Sequence, residues 1–241
     1  MPSLDLSLII PCYNEEKILR QSLSDVFEVL DKSSLKYEVI FVDDFSQDNT
    51  VGVIKQLIKE NSRKEISIIL HNKNEGRGRA VSDGILHSKG RITGFIDIDL
   101  STPASCIPEL ISEIDRGADI ATALRRYKLT ISVLPRFLIS KTYQLLLRLL
   151  LGLELYDTET GCKFFNRDKI LTIIDDIRDT HWFWDTEVMV RGYIKGLKIS
   201  EVPSIFVRKG LYSRVRIFRD SIAHLVNLME LHKELKNKHL I

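Results

Sequence analysis

Short apolar runs alternate with longer amphipathic segments through the first half of the chain. Five runs have the length and β-branched content of buried strands, at positions 6–10, 37–42, 66–70, 92–96 and 118–124. Between these runs, apolar residues recur every three or four positions, as Leu19, Leu23 and Val26 do, which predicts amphipathic helices. Strands that alternate with helices favour an α/β fold with a mostly parallel central sheet and helices on both faces.

The pattern changes in the second half of the chain. Over 135–151 the polar residues form one narrow stripe, and nearly every other residue is apolar. Such a helix either lies in a protein core or rests in a membrane interface, and the pattern fits both. Apolar residues at helical spacing from Phe218 to Met229 predict another amphipathic helix. We therefore predict one α/β domain over 1–215, which includes the 135–151 helix, and a C-terminal helix over 216–241.

Composition narrows the class of protein. A net charge of +2 over 241 residues is too small for a basic nucleic-acid binder, so no nucleic-acid partner is expected. Three cysteines without a C-x-x-C spacing predict neither a disulfide framework nor a zinc site and fit a reducing compartment. No signal-peptide pattern is present, and the most apolar stretch, 145–153, is too short to span a bilayer. We expect a cytoplasmic protein, either soluble or peripheral to a membrane; the oligomeric state stays open.

Polar clusters follow four of the predicted strands, at 13–16, 43–44, 72–79 and 97–99. The carboxyl ends of parallel strands meet at one edge of a sheet, and α/β sheets bind ligands at that edge. This convergence is the strongest argument from the residues alone for a binding site.

Asp97 and Asp99 close the run that begins near Arg91. Side chains alternate between the two faces of a strand, so we expect the carboxylates of Asp97 and Asp99 to lie on the same face. Two carboxylates on one face repel each other unless a proton or a cation lies between them. Hard ions such as Mg²⁺ bind carboxylate oxygens and commonly hold substrate phosphates as well. The pair therefore predicts a metal-bridged phosphate substrate, whereas the simpler reading is a solvated strand end.

The first two strand ends offer groups for a nucleotide. Tyr13 can stack on a base and Glu15 can accept hydrogen bonds, although the same segment, with Asn14 as N-cap, also fits a plain helix start. Asp43 and Asp44 follow the second strand, where a carboxylate can hold ribose hydroxyls or a pyrimidine N–H.

Two further segments carry polar groups. The run Gly76-Arg77-Gly78 precedes a predicted helix, where glycines allow a close phosphate and Arg77 adds charge; the third glycine of a dinucleotide fingerprint is missing, which excludes that site. The segment 182–187 mixes tryptophans with acids. It is either a substrate platform with Asp185 or Glu187 as a base, or a helix start packed by its tryptophans.

Taken together, these motifs resemble a family-2 glycosyltransferase of the GT-A fold, a Rossmann-like nucleotide-diphospho-sugar transferase. The family's order and spacing are matched at 11–15, 42–50, 76–78 and 97–100. Later segments resemble the polyprenyl- or dolichyl-phosphate sugar synthase branch, at 157–165, 184–187, 201–203 and 213–215.

The resemblance assigns roles to individual residues. The nucleotide-sugar donor would be held by seven of them, namely Pro11, Tyr13, Glu15, Asp43, Asp44, Arg77 and Arg214. Asp99 would bind Mg²⁺ or Mn²⁺ together with Asp97, which can also orient the donor. The acceptor's phosphate would be held by Arg126, Arg136 and Ser140. Phe45 occupies the position of a glycine that is usual in the family, so the loop there is expected to differ.

The resemblance implies a metal-dependent, inverting transfer of a hexose from a UDP-glucose or GDP-mannose type donor to a polyprenyl or dolichyl phosphate. The enzyme would then act at the cytoplasmic face of a membrane, with 135–151 as the interfacial helix. The alternative is a soluble transferase with a saccharide hydroxyl as acceptor, which would need a base such as Asp185. A receiver domain and a sugar-nucleotide pyrophosphorylase fit the strand ends less well, because a full strand and helix precede the Asp43–Asp44 pair and no glycine- and arginine-rich N-terminal loop is present.

Overall fold

The computed structural model describes residues 4–62, 64–126, 134–206 and 217–241. Within these residues, seven strands form one sheet in the order β3-β2-β1-β4-β6-β5-β7. The strands are β1 (Leu6–Cys12), β2 (Tyr37–Asp43), β3 (Glu65–Leu70), β4 (Ile92–Ile96), β5 (Ile120–Arg126), β6 (Cys162–Asn166) and β7 (Ile199–Ile205). Only β6 runs against its neighbours β4 and β5, and the other neighbouring pairs are parallel. The predicted α/β fold with a mostly parallel sheet is confirmed.

The helices connect the strands and cover the sheet. They are α1 (Leu19–Asp31), α2 (Thr50–Glu60), α3 (Arg77–His87), α4 (Ile107–Asp115), α5 (Leu134–Leu151), α6 (Arg167–Ile170), α7 (Trp184–Ile194) and α8 (Ile217–Asn237). Short 3₁₀ turns lie at Ala104–Cys106 and Ile174–Asp176.

Alternation along the strands divides the core into two layers. In β1, Leu8 and Ile10 belong to a cluster with α1, α2 and α4, whereas Ile9 belongs to a second cluster with α3 and α7. In β2, Phe41 belongs to the first of these clusters and Val42 to the second. Strands β1 and β2 therefore bury both faces, as helices on both sides of a parallel sheet require.

The sequence suggested that the first strand ends at Pro11, but β1 continues to Cys12. The N–H of Leu6 donates to Lys36 on the β2 side, so alternation turns the backbone of Pro11 towards β4. Pairing with β4 stops at Ile9. The missing N–H of proline therefore removes no sheet hydrogen bond.

The strands β6 and β7 were not predicted from the sequence pattern. The strand β6 carries a charged residue, Lys163, between apolar neighbours, and β7 contains Pro203. The last strand in the order, β7, lies at the sheet edge beside β5, where a proline is tolerated. Neither segment is one of the short, continuous apolar runs that marked the first five strands.

Helices α5 and α8 pack against each other through Leu147, Leu151 and Leu228, in a third cluster that also includes Phe183. On the outer side of α5, Leu145 and Leu149 are exposed. The helix is thus core on one side and exposed and apolar on another. A role of 135–151 at a membrane interface stays a prediction. The predicted boundary between 215 and 216 lies outside the described residues. Among those residues, no helix is both long and apolar enough to cross a membrane.

Candidate active site

The carboxylates of Asp43 and Asp44 are buried at the end of β2, yet they have different environments. One oxygen of Asp43, Oδ2, accepts a hydrogen bond from the Ser46 N–H at 3.0 Å. The other, Oδ1, is buried and has no hydrogen-bond partner. Because buried polar atoms are almost always paired in folded proteins, this oxygen is available for a ligand donor.

Asp44 is fully engaged by the protein. It accepts from the N–H groups of Glu75 at 2.7 Å and Gly76 at 2.9 Å, and its Oδ1 lies 2.8 Å from Nδ1 of His71. These contacts fasten the loop after β3 to the end of β2. Asp44 therefore shapes the site, and its carboxylate has little capacity left for a donor.

The glycines before α3 do not face an open phosphate site. A Cβ on Gly76, whose φ is +104°, would lie 2.2 Å from the carbonyl oxygen of Thr180. A Cβ on Gly78 would lie 2.5 Å from the side chain of Trp184. The N–H of Arg79 donates to the same Thr180 oxygen at 3.0 Å. The close approach that these glycines allow is made by the protein's own chain, so the structure does not support the expected phosphate cradle here.

Arg77 links two acidic residues that are far apart in sequence. Its Nε donates to Asp97 at 2.7 Å and its Nη1 to Asp185 at 2.6 Å. The guanidinium lies over the ring of Phe95, 5.0 Å from its centroid. The remaining nitrogen, Nη2, is buried without a partner. Arg77 therefore holds one charged N–H group ready for an anionic ligand.

Asp97 follows β4 directly, whereas Asp99 lies in the next turn. The expectation that both lie on one face of a strand is wrong, because β4 ends at Ile96. The exposed Asp99 carboxylate accepts from the N–H and the Oγ–H of Ser101, each at 2.9 Å. Burial raises the pKa of Asp97 to about 6 against the lowering effect of Arg77, and the negative charge of Asp99 adds to the rise. The negative charges of the two carboxylates therefore repel each other, and a bound cation would reduce that repulsion.

Gly161 leaves room for the Asp97 carboxylate. Its carbonyl accepts from the Asp97 N–H at 2.8 Å, and a Cβ at this position would lie 1.9 Å from Asp97 Oδ2. No side chain can occupy that position without moving the carboxylate. The segment before β6 thus fixes the position of Asp97.

Asp185, the expected base, is held between two cations. Its Oδ2 accepts from Arg77, and its Oδ1 accepts from Nζ of the fully buried Lys163 at 2.7 Å. Both of its oxygens are therefore already occupied by charged hydrogen-bond donors. Its role as a base stays a prediction, and the geometry instead favours a role in orienting Arg77. Glu187 is occupied as well, by the N–H groups of Arg178 and Asp179.

The loops after β1 and β2 are joined by hydrogen bonds. The N–H of Glu15 donates to Thr50 Oγ1 at 2.7 Å, and Asn14, at φ +54°, accepts from the Gln47 N–H at 2.6 Å. Pro11 and Tyr13 lie at the same edge. The donor-binding roles of Pro11, Tyr13 and Glu15 stay predictions.

The acceptor residues are only partly described. Arg126 is the last residue of β5 and is exposed. Arg136 and Ser140 belong to α5, but their side chains lie outside the described ones, and Arg214 lies outside the described residues altogether. The structure thus brings Asp43, Arg77, the two aspartates after β4 and Asp185 to one edge and leaves the acceptor roles as predictions.

Sequence reasoning missed a second polar network beside this site. Arg125 donates to Asp157 at 2.7 Å and contacts Glu159 at 3.3 Å, and Glu159 lies 3.0 Å from Nδ1 of His224 on α8. Despite burial, the hydrogen bond from His224 and the charge of Arg125 hold the pKa of Glu159 at about 2. Lys163 was missed as well. Its position between apolar neighbours of a strand is a signal that could have marked it as a buried charge.

The metal prediction rests on few ligands. Among the described residues, no group of three or more histidine, cysteine, aspartate or glutamate side chains is arranged to hold a metal ion. Asp97 and Asp99 could supply carboxylate oxygens, which suit Mg²⁺ or Mn²⁺. A metal ion at this edge would depend on phosphate oxygens of a substrate for further ligands, as Mg²⁺ commonly does.

Comparison with known proteins identifies the family. Residues 7–173 match the model for glycosyl transferase family 2. The chain belongs to this family. The predicted resemblance is confirmed, and the receiver-domain and pyrophosphorylase alternatives are excluded.

The curated relatives include glycosyltransferases, and some of them are named for a dolichyl-phosphate acceptor. The glycosyltransferase AglD of Haloferax volcanii is 30% identical over 225 residues, which cover 90% of this chain and 35% of the relative. The dolichyl-phosphate beta-glucosyltransferase of Saccharomyces cerevisiae is 29% identical over 218 residues, which cover 82% of this chain and 65% of the relative. The chain therefore spans about a third of the first relative and just under two thirds of the second.

A solved structure shares the fold. Glucosyl-3-phosphoglycerate synthase from Mycobacterium tuberculosis, in complex with Mn²⁺, uridine diphosphate and glucosyl-3-phosphoglycerate, matches with a TM-score of 0.71 at 16% identity. The match covers 94% of this chain and 79% of that one. It supports the GT-A fold predicted from the sequence.

Proposed function

We propose that the protein is a metal-dependent, inverting glycosyltransferase that moves a hexose from a nucleotide-sugar donor to a polyprenyl or dolichyl phosphate. Family membership supports the transfer of a sugar, and the yeast relative is named for a dolichyl-phosphate acceptor and a glucosyl group. The observation that carries the choice of acceptor is the environment of Asp185, whose two oxygens are both bound by cations.

The acceptor's chemistry decides whether a base is needed. A phosphate monoester has a second pKa near 6, so at neutral pH it is a dianion and attacks without losing a proton. A sugar hydroxyl must give up its proton as it attacks, which calls for a free carboxylate or imidazole. With Asp185 held between Arg77 and Lys163, a phosphate acceptor fits this site better than the alternative saccharide acceptor.

The donor is proposed to be a uridine nucleotide sugar of the UDP-glucose type. Uracil presents one ring N–H between two carbonyl oxygens, whereas guanine presents a ring N–H beside an amino group. Asp43 has one oxygen already bound to the Ser46 N–H and one buried oxygen without a partner. One available acceptor matches the single donor of uracil.

The metal is proposed to be Mg²⁺ or Mn²⁺ held by Asp99 together with Asp97. When bound, it would neutralise the charge that develops on the leaving diphosphate. The chain's own contribution is Arg77, which fixes Asp97 and keeps one buried guanidinium nitrogen, Nη2, without a partner. A fixed cation that does not have to reorganise stabilises developing negative charge efficiently.

A membrane location at the cytoplasmic face is part of the proposal. Leu145 and Leu149 form an exposed apolar strip on α5, and the exposed Lys141 and Arg148 belong to the same helix. Apolar and basic side chains on one helix suit a surface of anionic lipids. Arg126, Arg136 and Ser140 are the proposed contacts of the acceptor phosphate.

Two measurements test the proposal. A thermal-shift panel of UDP, GDP and their glucose and mannose conjugates, each with and without Mn²⁺, should show the largest shift for the uridine compounds with metal. Incubation with UDP-glucose and citronellyl phosphate should yield citronellyl phosphate glucose, whereas citronellol should yield no product. Transfer to the alcohol or to a saccharide, with none to the phosphate, would reject the proposed acceptor.

A further inference from the structure

Phe45 has an unfavourable backbone conformation and an exposed ring. Its φ is +65°, in the left-handed region that residues with a bulky side chain avoid. Its side chain is 46% exposed, so packing recovers only part of that cost. A strained residue persists only where the surrounding structure fixes it, and such residues cluster at functional sites.

The backbone on both sides of Phe45 is held in place. The N–H of Asp44 donates to the Cys12 carbonyl at 2.8 Å, which continues the pairing of β1 with β2. The N–H of Ser46 donates to Asp43 Oδ2 at 3.0 Å. Phe45 lies between these two anchored residues, so its backbone is held from both sides.

Phe45 follows the residue that carries the unpartnered acceptor, Asp43, by two positions at the sheet edge. Cys12 and Asp43 are paired across the last position of β1 and β2. Tyr13 follows the first of these strand ends, and Phe45 comes two residues after the second. Two aromatic residues thus follow the paired strand ends, and Asp43, at the second of these ends, keeps a buried Oδ1 without a partner. An acceptor at an edge with aromatic side chains around it suits a flat heterocycle with a ring N–H.

We propose that the ring of Phe45 covers one face of the donor's uracil while Asp43 Oδ1 accepts from the edge of that base. This inference rests on the proposed function and names a residue that recognises the nucleoside part of the donor. Stacking of an aromatic side chain on a base recovers the stabilisation that the exposed ring lacks in the free protein. The strained conformation is then the cost of presenting an aromatic ring at this position.

Replacement by glycine separates binding from folding. Glycine adopts the left-handed region without strain, so Phe45→Gly is expected to fold with a melting temperature no lower than that of the wild type. We expect its Kd for UDP, measured by calorimetry with Mn²⁺, to rise about tenfold, because stacking on one base contributes of the order of a tenfold factor or more. Its Kd for inorganic pyrophosphate with Mn²⁺ should stay the same, since pyrophosphate has no base.

A second variant reports on the contact directly. In Phe45→Trp, UDP should quench the indole fluorescence more than in the wild type, and pyrophosphate should not. Tyr193→Ala is the matched control, because it removes another exposed aromatic ring, 41% accessible, from α7. It should leave the Kd for UDP unchanged.

The outcomes are distinguishable. If Phe45→Gly binds UDP as tightly as the wild type, or loses pyrophosphate affinity to the same extent, the stacking role is wrong while the transferase proposal stands. If the wild type binds neither UDP nor any other nucleoside diphosphate with Mn²⁺, the proposed function itself fails.

Discussion

The carboxylate of Asp97 occupies the space that a side chain at residue 161 would need, so that a Cβ on Gly161 would lie 1.9 Å from Asp97 Oδ2. The main chains of the two residues are also joined, by the hydrogen bond from the Asp97 N–H to the Gly161 carbonyl at 2.8 Å. The position of Asp97, a proposed metal ligand after β4, is thus set by Gly161, which directly precedes β6.

Gly161→Ala should therefore impair metal-dependent donor binding. The added methyl group displaces the Asp97 carboxylate, and misplacing a metal ligand or its support typically costs about 10- to 100-fold in metal affinity. Titration of UDP with Mn²⁺ measures the effect. Gly52→Ala in α2 is the control, since its Cβ meets only the flexible end of the exposed Asn49 side chain. An unchanged Mn²⁺ dependence in Gly161→Ala would show that the position of Asp97 is unimportant for the metal.

Arg77→Gln should destabilise the fold as well as the site. Arg77 bridges Asp97 and Asp185, so its loss leaves Asp97 without its cation and Asp185 with Lys163 alone. Breaking a buried ion pair typically costs about 3–5 kcal/mol, which urea unfolding can measure. The control is Arg79→Gln, which removes a half-exposed arginine two residues away and should cost at most about 1 kcal/mol. Equal losses in the two variants would contradict the bridging role.

Asp99→Ala should separate metal binding from stability. The Asp99 carboxylate is exposed, and among the described residues it accepts hydrogen bonds from Ser101 in the same turn, so the free energy of unfolding should change little. If Asp99 binds the metal, the extra thermal stabilisation that Mn²⁺ gives to the UDP complex should disappear. Ser101→Ala, which removes the hydroxyl partner, should retain it. A Mn²⁺ effect that persists in Asp99→Ala would remove this residue from the metal site.

The Glu159–His224 pair should make stability depend on pH. The hydrogen bond to Glu159 raises the pKa of His224 above its ordinary 6.5 although burial opposes it, so its contribution is complete below about pH 6.5 and is lost as pH rises through the raised value. Glu159 has a pKa of about 2 instead of 4.5, so its contribution is complete above about pH 4.5 and is lost as pH falls through about 2.

His224→Gln tests that window. The variant should be less stable than the wild type by about 2 kcal/mol between pH 4.5 and 6.5, the value typical of a hydrogen bond between charged groups, and the difference should shrink towards pH 9. Urea unfolding at several pH values measures it. His232→Gln on the same helix is the control, because the described part of the chain shows no ion pair of His232. A difference between His224→Gln and wild type that is constant with pH would mean that His224 is not charged in the folded protein.

The local pattern of apolar and polar residues in the sequence determined the fold class, the edge that carries the site and the family. The alternation of apolar runs and amphipathic segments predicted five strands and an α/β fold, because a strand's period of two and a helix's period of 3.6 are visible within ten residues. The strand ends then marked the site, since parallel strands converge at one edge, and Asp43 and Asp97 lie there. The motifs at those ends sufficed for the family.

Only the tertiary structure decided how the groups are used. The hydrogen bond between Arg77 and Asp185 joins residues 108 positions apart, and that between Lys163 and Asp185 spans β6 and α7. Such contacts leave no periodic signal, so Asp185 read as a free base and the glycines beside Arg77 as a phosphate cradle. In the folded protein, the carboxylate of Asp185 is already paired with Arg77 and Lys163, because buried polar groups must be paired. The glycines before α3 are already packed against the protein's own chain.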